Sequence, residues 1–194
     1  QYPELSFQEN ATADFVEKVL IEIGFTSIKR MAKTGVVALL HPQEHIGKVI
    51  GLRSDLDALP IHETNVISYK SKHEGVMHAC GHDVHTAILL SVAKILFSCK
   101  NQVIGNVKFI FQPGEELLPG GASVLIKEGV LNNPNVDYLI AQHVTPQIPV
   151  GKIGFKKGLF MASTDEIYIT VKGKGGHAAM PHTYVNPLLL ASEI

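Results

Sequence analysis

Neither sign of charge dominates this 194-residue sequence: 17 Lys and Arg stand against 18 Asp and Glu, a formal net charge of −1. So balanced a chain lacks the basic field that holds nucleic acid or an acidic membrane surface, and neither partner is expected. Long apolar runs are missing too, because Lys, Ser or Gly interrupts every stretch well short of the ~20 residues that span a bilayer. With only two cysteines, Cys80 and Cys99, there is no disulfide framework, and a reducing, cytoplasmic setting is expected. Cys99 closes the apolar run ILFSC and reads as a small core residue. No signal or transit peptide, internal repeat or low-complexity tract is visible.

What is present is alternation. Phe15, Val16, Val19, Leu20 and Ile23 fall at helical spacing and Gly24 follows as a stop. GVVALL (35–40) and KVIGLRSD (48–55) read as strands, 84–98 as a buried helix and NVKFIFQ (106–112) as a strand. A short helix over 122–128 precedes Gly129. VDYLIAQHV (136–144) reads as a further buried strand, and DEIYITVKG (165–173) has the alternation of a half-exposed one. Nearly continuous apolar strands interleaved with helices predict an α/β fold, a mostly parallel sheet with helices on both faces. After about Met161 the pattern changes to a strand, a Gly-rich turn and a helix after Pro187 that stops at Ile194. Residues 1–161 therefore read as one domain, which the donor residues described next mark as a metal-binding catalytic one, and 162–194 as the beginning of a second, unfinished one.

The polar residues gather where such sheets bind ligands, beyond the carboxyl ends of the strands. One strand runs into Asp55 and Asp57, a second into Glu115 and Glu116, a third into His143. HACGHDVH places His78, Cys80, His82, Asp83 and His85 at the start of the long helix. Singly, each has an ordinary reading: a hydrogen-bonded histidine, a solvated acidic pair, Asp83 as an N-cap. Together they make a rim of N, O and S donors, and Cys80, His82, Glu116 and His143 suit zinc or a similar divalent ion. A helix N-terminus beside Cys80 is expected to favour the thiolate. One glutamate of the adjacent pair can bind metal while the other serves as general base; spacing leaves open which does which.

RSDLDALP (53–60), HACGHDVHTA (78–87), FQPGEE (111–116), the His143 strand and GKGGHAAMPH (173–182) resemble the metal-dependent aminoacylase-like amidohydrolases. That group includes hippurate hydrolase, N-acetyldiaminopimelate deacetylase and the plant hydrolases of auxin–amino acid conjugates. PELSFQE (3–9) looks like their N-terminal helix start. The resemblance implies hydrolysis of N-acyl amino acids with two divalent ions (Zn, Mn, Co or Ni), Cys80 bridging them and His82, Glu116 and His143 completing most of the shell. Glu115 would be the base that later returns the proton to the leaving amine, and Asp57 would fix the site from behind. His177, of the GGH motif, would sit on a lid or dimerisation domain and reach a partner subunit's site in a homodimer to stabilise the oxyanion. Relatives of this kind run to about twice this length and carry a last metal-binding histidine near their C-terminus. This stretch alone is therefore expected to bind metal incompletely and turn over little. The competing readings are a di-metal dipeptidase or aminopeptidase of the same fold, and a non-catalytic protein whose metal only steadies the fold. LPGGAS lacks the Lys-Ser/Thr of a phosphate-binding loop.

Overall fold

Seven consecutive buried residues make β4 (Asn106–Gln112) the central strand. The computed structural model describes residues 1–41 and 47–194. On one side β4 runs parallel to β3 (Val49–Asp55), with Asp55 beside Gln112, and β3 runs parallel to β5 (Tyr138–Ala141). On the other side β4 lies antiparallel to β2 (Gly35–Leu39), which pairs antiparallel with β1 (Ser27–Met31). The order is β1-β2-β4-β3-β5.

The α/β class is as expected, but the sheet is mixed rather than mostly parallel. SIKRM, with Lys29 and Arg30 adjacent between its two apolar residues, carries too weak an apolar pattern to announce β1, and the β1–β2 hairpin contributes the antiparallel half. β5 ends at Ala141, so His143 lies just past the strand instead of within it. Tyr138, Leu139 and Ile140 are exposed, not buried, because β5 pairs only with β3 among the described residues.

Helices cover both faces. On one, α1 (Asn10–Ile23) and α2 (His82–Ser98) bury Val16, Leu20, Leu89 and Ala93 against Val36, Ala38, Val107, Phe109 and Phe111. Phe109, Phe111 and Leu20 are fully buried, each contributing about 2–3 kcal/mol. On the other face, Leu125 of α3 (Gly121–Lys127) packs with Met31, Val37, Ile110 and Val130. The two crossovers explain this split. From β3 the chain crosses through α2 to β4 on one side, and from β4 through α3 to β5 on the other. Crossovers of one hand running in opposite directions must place their helices on opposite faces. The buried Lys108 donates its three N–H groups to the carbonyls of Val130, Asn132 and Pro134 (2.8, 2.8 and 2.9 Å), fastening the α3–β5 connection to the sheet. Cys99 ends α2 half-buried, its thiol donating to the Ile95 carbonyl, and so is not a core residue.

The chain divides into two compact units, Gln1–Gln147 and Ile148–Ile194. In the second, Lys174 and Val185 form an isolated antiparallel bridge and α4 (Pro187–Ala191) is capped by the Asn186 side chain, which accepts from the Leu188 N–H. The strand expected over 165–173 does not form. Its alternation is real, but a strand needs a neighbour to bond with, and Ile167, Tyr168 and Ile169 stay exposed. Among the described residues no helix is long and apolar enough to cross a membrane.

Candidate metal centre

The carboxyl ends of β3, β4 and β5 share one edge, and the connections leaving the adjacent strands β3 and β4 run to opposite faces of the sheet, which opens a crevice between them there. Three segments converge on it: the residues after Asp55, the turn after Gln112 and the start of α2. Gly81 is the N-cap of α2 at φ +81°, a left-handed conformation, and a Cβ on it would meet the Val144 side chain at 2.5 Å. A glycine is thus needed between Cys80 and His82 for the chain to turn into the helix. Asp83 falls inside the first helical turn, so its expected N-cap role belongs to Gly81.

Cys80, His82 and His143 present ligand atoms within 4.8 Å of one another, as do His82, Glu115 and Glu116. Cys80 Sγ lies 3.3 Å from His143 Nε2, and His82 Nε2 lies 3.8 Å from Glu116 Oε1. The far side of each imidazole is tied down. His143 Nδ1 is 2.6 Å from the Val144 carbonyl, which only accepts, so Nδ1 carries the hydrogen and Nε2 a lone pair. The fully buried His82 places Nδ1 3.2 Å from Asp57 Oδ1, leaving its Nε2 lone pair facing the cluster. His82 Nε2 and Glu116 Oε1 are both buried and have no hydrogen-bond partner among the described residues. Two buried acceptors aimed at each other, beside a thiol and a third acceptor, leave a deficit that a cation fills.

Electrostatics agree. Burial first, then the neighbouring Glu116, push the Cys80 thiol up to about 11. Burial and the surrounding carboxylates thus outweigh the pull toward the thiolate expected from the helix N-terminus, and a cation bound beside the sulfur would favour the thiolate again. Burial pushes Asp57 up, but hydrogen bonds from His82, Ser6 and the Glu116 and Glu115 backbone outweigh it and hold the carboxyl down to about 2. Burial opposes charge on His82, yet the bond to Asp57 and the Asp55, Asp57 and Glu116 carboxylates raise it. Glu115, on the same turn, has an open surface but its carboxyl is partly desolvated, and this and the neighbouring Glu116 raise it.

The remaining candidates sort by their bonds. Asp55, His82 and His85 also cluster, but His85 is fully used: Nδ1 donates to Asp55 (2.6 Å) and Nε2 accepts from the Val144 N–H (2.9 Å). Asp55 takes a further bond from Arg53 at 2.8 Å. This pair braces the β3 end against the segment that carries His143. His78 is half-buried and lines a cavity of about 180 Å³ together with Glu63, Tyr69 and Asp83. His177 belongs to the second unit, where its Nδ1 accepts from the Ala179 N–H at 3.1 Å. Sequence reasoning did not single out Ser6, Glu9 or Arg53. The first two lie in PELSFQE, but no local pattern tells that they reach residues 57 and 114.

The model of peptidase family M20/M25/M40 matches residues 51–191. The chain belongs to this family. It is 44% identical over 193 residues to the N-acyl-L-amino acid amidohydrolase of Geobacillus stearothermophilus, covering 100% of this chain and 51% of the relative. To the N-acetyl-L-cysteine deacetylase of Bacillus subtilis it is 43% identical over 194 residues, covering 100% of this chain and 46% of the relative. A crystal structure of a dinuclear metal binding peptidase of the M20 family from Bacillus subtilis superposes with a TM-score of 0.75 at 43% identity, over 81% of this chain and 43% of that one. The chain spans about half the length of the curated relatives it matches. As an M20 family member it carries the family's α/β fold, with the donor cluster at the carboxyl edge of its parallel strands.

Proposed function

We propose that the protein hydrolyses the amide bond of N-acyl amino acids, using two divalent metal ions held by Cys80, His82, Glu116 and His143. The observation that carries this reading is the pair of buried acceptors, His82 Nε2 and Glu116 Oε1, which have no hydrogen-bond partner among the described residues and lie beside the Cys80–His143 contact. The relatives named for N-acyl amino acid substrates support the choice of substrate class. Bound there, the ions supply Lewis-acid polarisation of the scissile carbonyl and acidify water. Thiolate, imidazole and carboxylate donors accommodate Zn, Mn, Co or Ni.

The chain's own residues do the rest. Glu115, with its proton affinity raised, takes a proton from the attacking water and passes it to the leaving amine nitrogen. Asp57 holds the hydrogen on His82 Nδ1 and so keeps Nε2 free to bind. In this reading His177 donates to the tetrahedral oxyanion from a partner copy in a homodimer, and the residues from about 162 onward begin the lid or dimerisation domain; the GKGGHAAMPH motif supports both. A reducing, cytoplasmic location follows from the need to keep the Cys80 thiol free.

Glu115→Gln in a polypeptide of the relatives' full length should abolish turnover of N-acetyl, N-benzoyl or N-succinyl amino acids while metal content stays unchanged. Glu116→Gln should lose metal. The reverse pattern would exchange the two roles, and faster cleavage of unblocked dipeptides than of any acylated substrate would refute the substrate class.

A further inference from the structure

We propose that Glu9, at the end of the N-terminal arm, is a positioning residue that sets the Pro113–Glu116 turn and thereby the metal ligand and the base. The proposal rests on the reading of Glu116 and Glu115 in those roles.

Glu9 is fully buried although it is a carboxyl residue at the N-cap of α1. An N-cap residue ordinarily turns its side chain onto the first N–H groups of its own helix. Glu9 makes no such bond. Glu4 does the capping instead, its carboxylate accepting from the Ala11 and Thr12 N–H groups at 3.1 and 2.7 Å. Glu9 is thereby free to turn into the core. There Oε1 accepts from the Gly114 N–H at 2.7 Å, and Oε2 accepts from the Thr34 hydroxyl at 2.5 Å. Burying a carboxyl group is expensive, and a leucine would fill the core better unless the hydrogen bonds were needed.

The bond reaches across 105 positions of sequence to the residue that precedes Glu115. Gly114 has φ +53°, and a Cβ on it would meet the Phe7 ring at 2.5 Å, so the arm grips this turn by packing as well as by hydrogen bonding. Farther along the turn, the Glu116 N–H donates to Asp57 Oδ2 at 2.9 Å, and Asp57 Oδ2 also accepts from the Ser6 hydroxyl at 2.6 Å. The arm therefore fixes the turn at both ends, directly through Glu9 and by way of Asp57 through Ser6.

The test compares Glu9→Gln, which keeps an oxygen for Gly114, with Glu9→Leu, which keeps none. Two readouts apply: amide hydrogen exchange of Glu116 relative to the β4 amides, and titration with Co²⁺ followed by its absorption bands. Glu9→Leu should speed Glu116 exchange by about tenfold or more while β4 stays protected, and weaken Co²⁺ binding about 10- to 100-fold. Glu9→Gln should stay near the unsubstituted protein in both. Should Glu9→Leu not fold, Glu9→Asp takes its place with the same expectation, since one methylene less cannot span Gly114 and Thr34. Unchanged Glu116 exchange in the leucine or aspartate variant overturns the proposal whatever the metal does, and so does faster exchange with unaltered Co²⁺ affinity. All variants are made in a polypeptide of the relatives' full length; if the unsubstituted protein of that length itself binds no Co²⁺, the amidohydrolase reading fails, and the exchange data alone judge the arm.

Discussion

Asp57 shows how one buried side chain serves several neighbours. Every group that faces it donates: the Ser6 hydroxyl, the Glu116 N–H and His82 Nδ1. A carboxylate accepts all three, whereas an amide must turn an NH₂ toward a donor. Asp57→Asn should thus weaken divalent metal binding about 10- to 100-fold, as loss of such a partner does elsewhere. It should also destabilise the fold by about 2 kcal/mol, the value of a carboxyl lowered from 3.8 to about 2. Because the folded-state value is the lower one, this stabilisation is complete above about pH 4 and fades as the pH falls toward 2. Urea unfolding of both proteins from pH 7 to pH 2 checks it; a gap that does not close in acid refutes the account. The donor residue types Cys80, His82, Glu116 and His143 could be read from the sequence, since sulfur, imidazole and carboxylate at strand and helix ends are distinctive. That Asp55 belongs to His85 and Asp57 to His82 could not, because both aspartates follow one strand and only side-chain direction separates them.

Among the elements, α2 matters most to the site, since its first turn carries His82 and the residue before its cap is Cys80. Its entry depends on Gly81 in the left-handed region with Val144 packed where a side chain would be. Gly81→Ala should destabilise the protein by more than the ~1 kcal/mol of a left-handed alanine, because Val144 must also move. Val144 donates to His85 and follows His143 directly. Co²⁺ affinity should consequently fall along with stability while helical circular dichroism persists; unaltered Co²⁺ affinity in the alanine variant would show that this junction does not set the ligands. The elements legible in the sequence were those with a strong apolar pattern of their own, α1, α2 and α3 among the helices and β2, β3 and β4 among the strands. Those missed or misplaced, β1, the end of β5 and the strand expected over 165–173, depend on which neighbour pairs with them, and pairing leaves no trace within the segment itself.

For the whole molecule, metal and folding are linked. Divalent ions that bind only the folded chain raise its stability by about 2.7 kcal/mol at a hundredfold excess over Kd, so a chelator should lower the melting temperature by several degrees. The effect should shrink on acidification, because protons compete for His82, whose affinity for them is raised. A melting temperature indifferent to chelator at neutral pH would contradict this linkage. The homodimer reading makes a further prediction. Mixing full-length Glu115→Gln and His177→Ala proteins, each inactive alone, should restore turnover if His177 serves a partner's site; a mixture as inactive as its parts would confine His177 to its own subunit or to a role in its turn.

The sequence by itself determined the α/β class, the carboxyl-edge location of the chemistry and the residue types able to bind metal, since apolar period and donor chemistry are local properties of a chain. Only the tertiary structure decided which donors keep their lone pairs, which aspartate steadies which histidine, and how an N-terminal arm comes to grip a turn beyond the fourth strand. Those outcomes depend on directions and distances between segments far apart in the chain, and a hydrogen bond is specified by both of its ends.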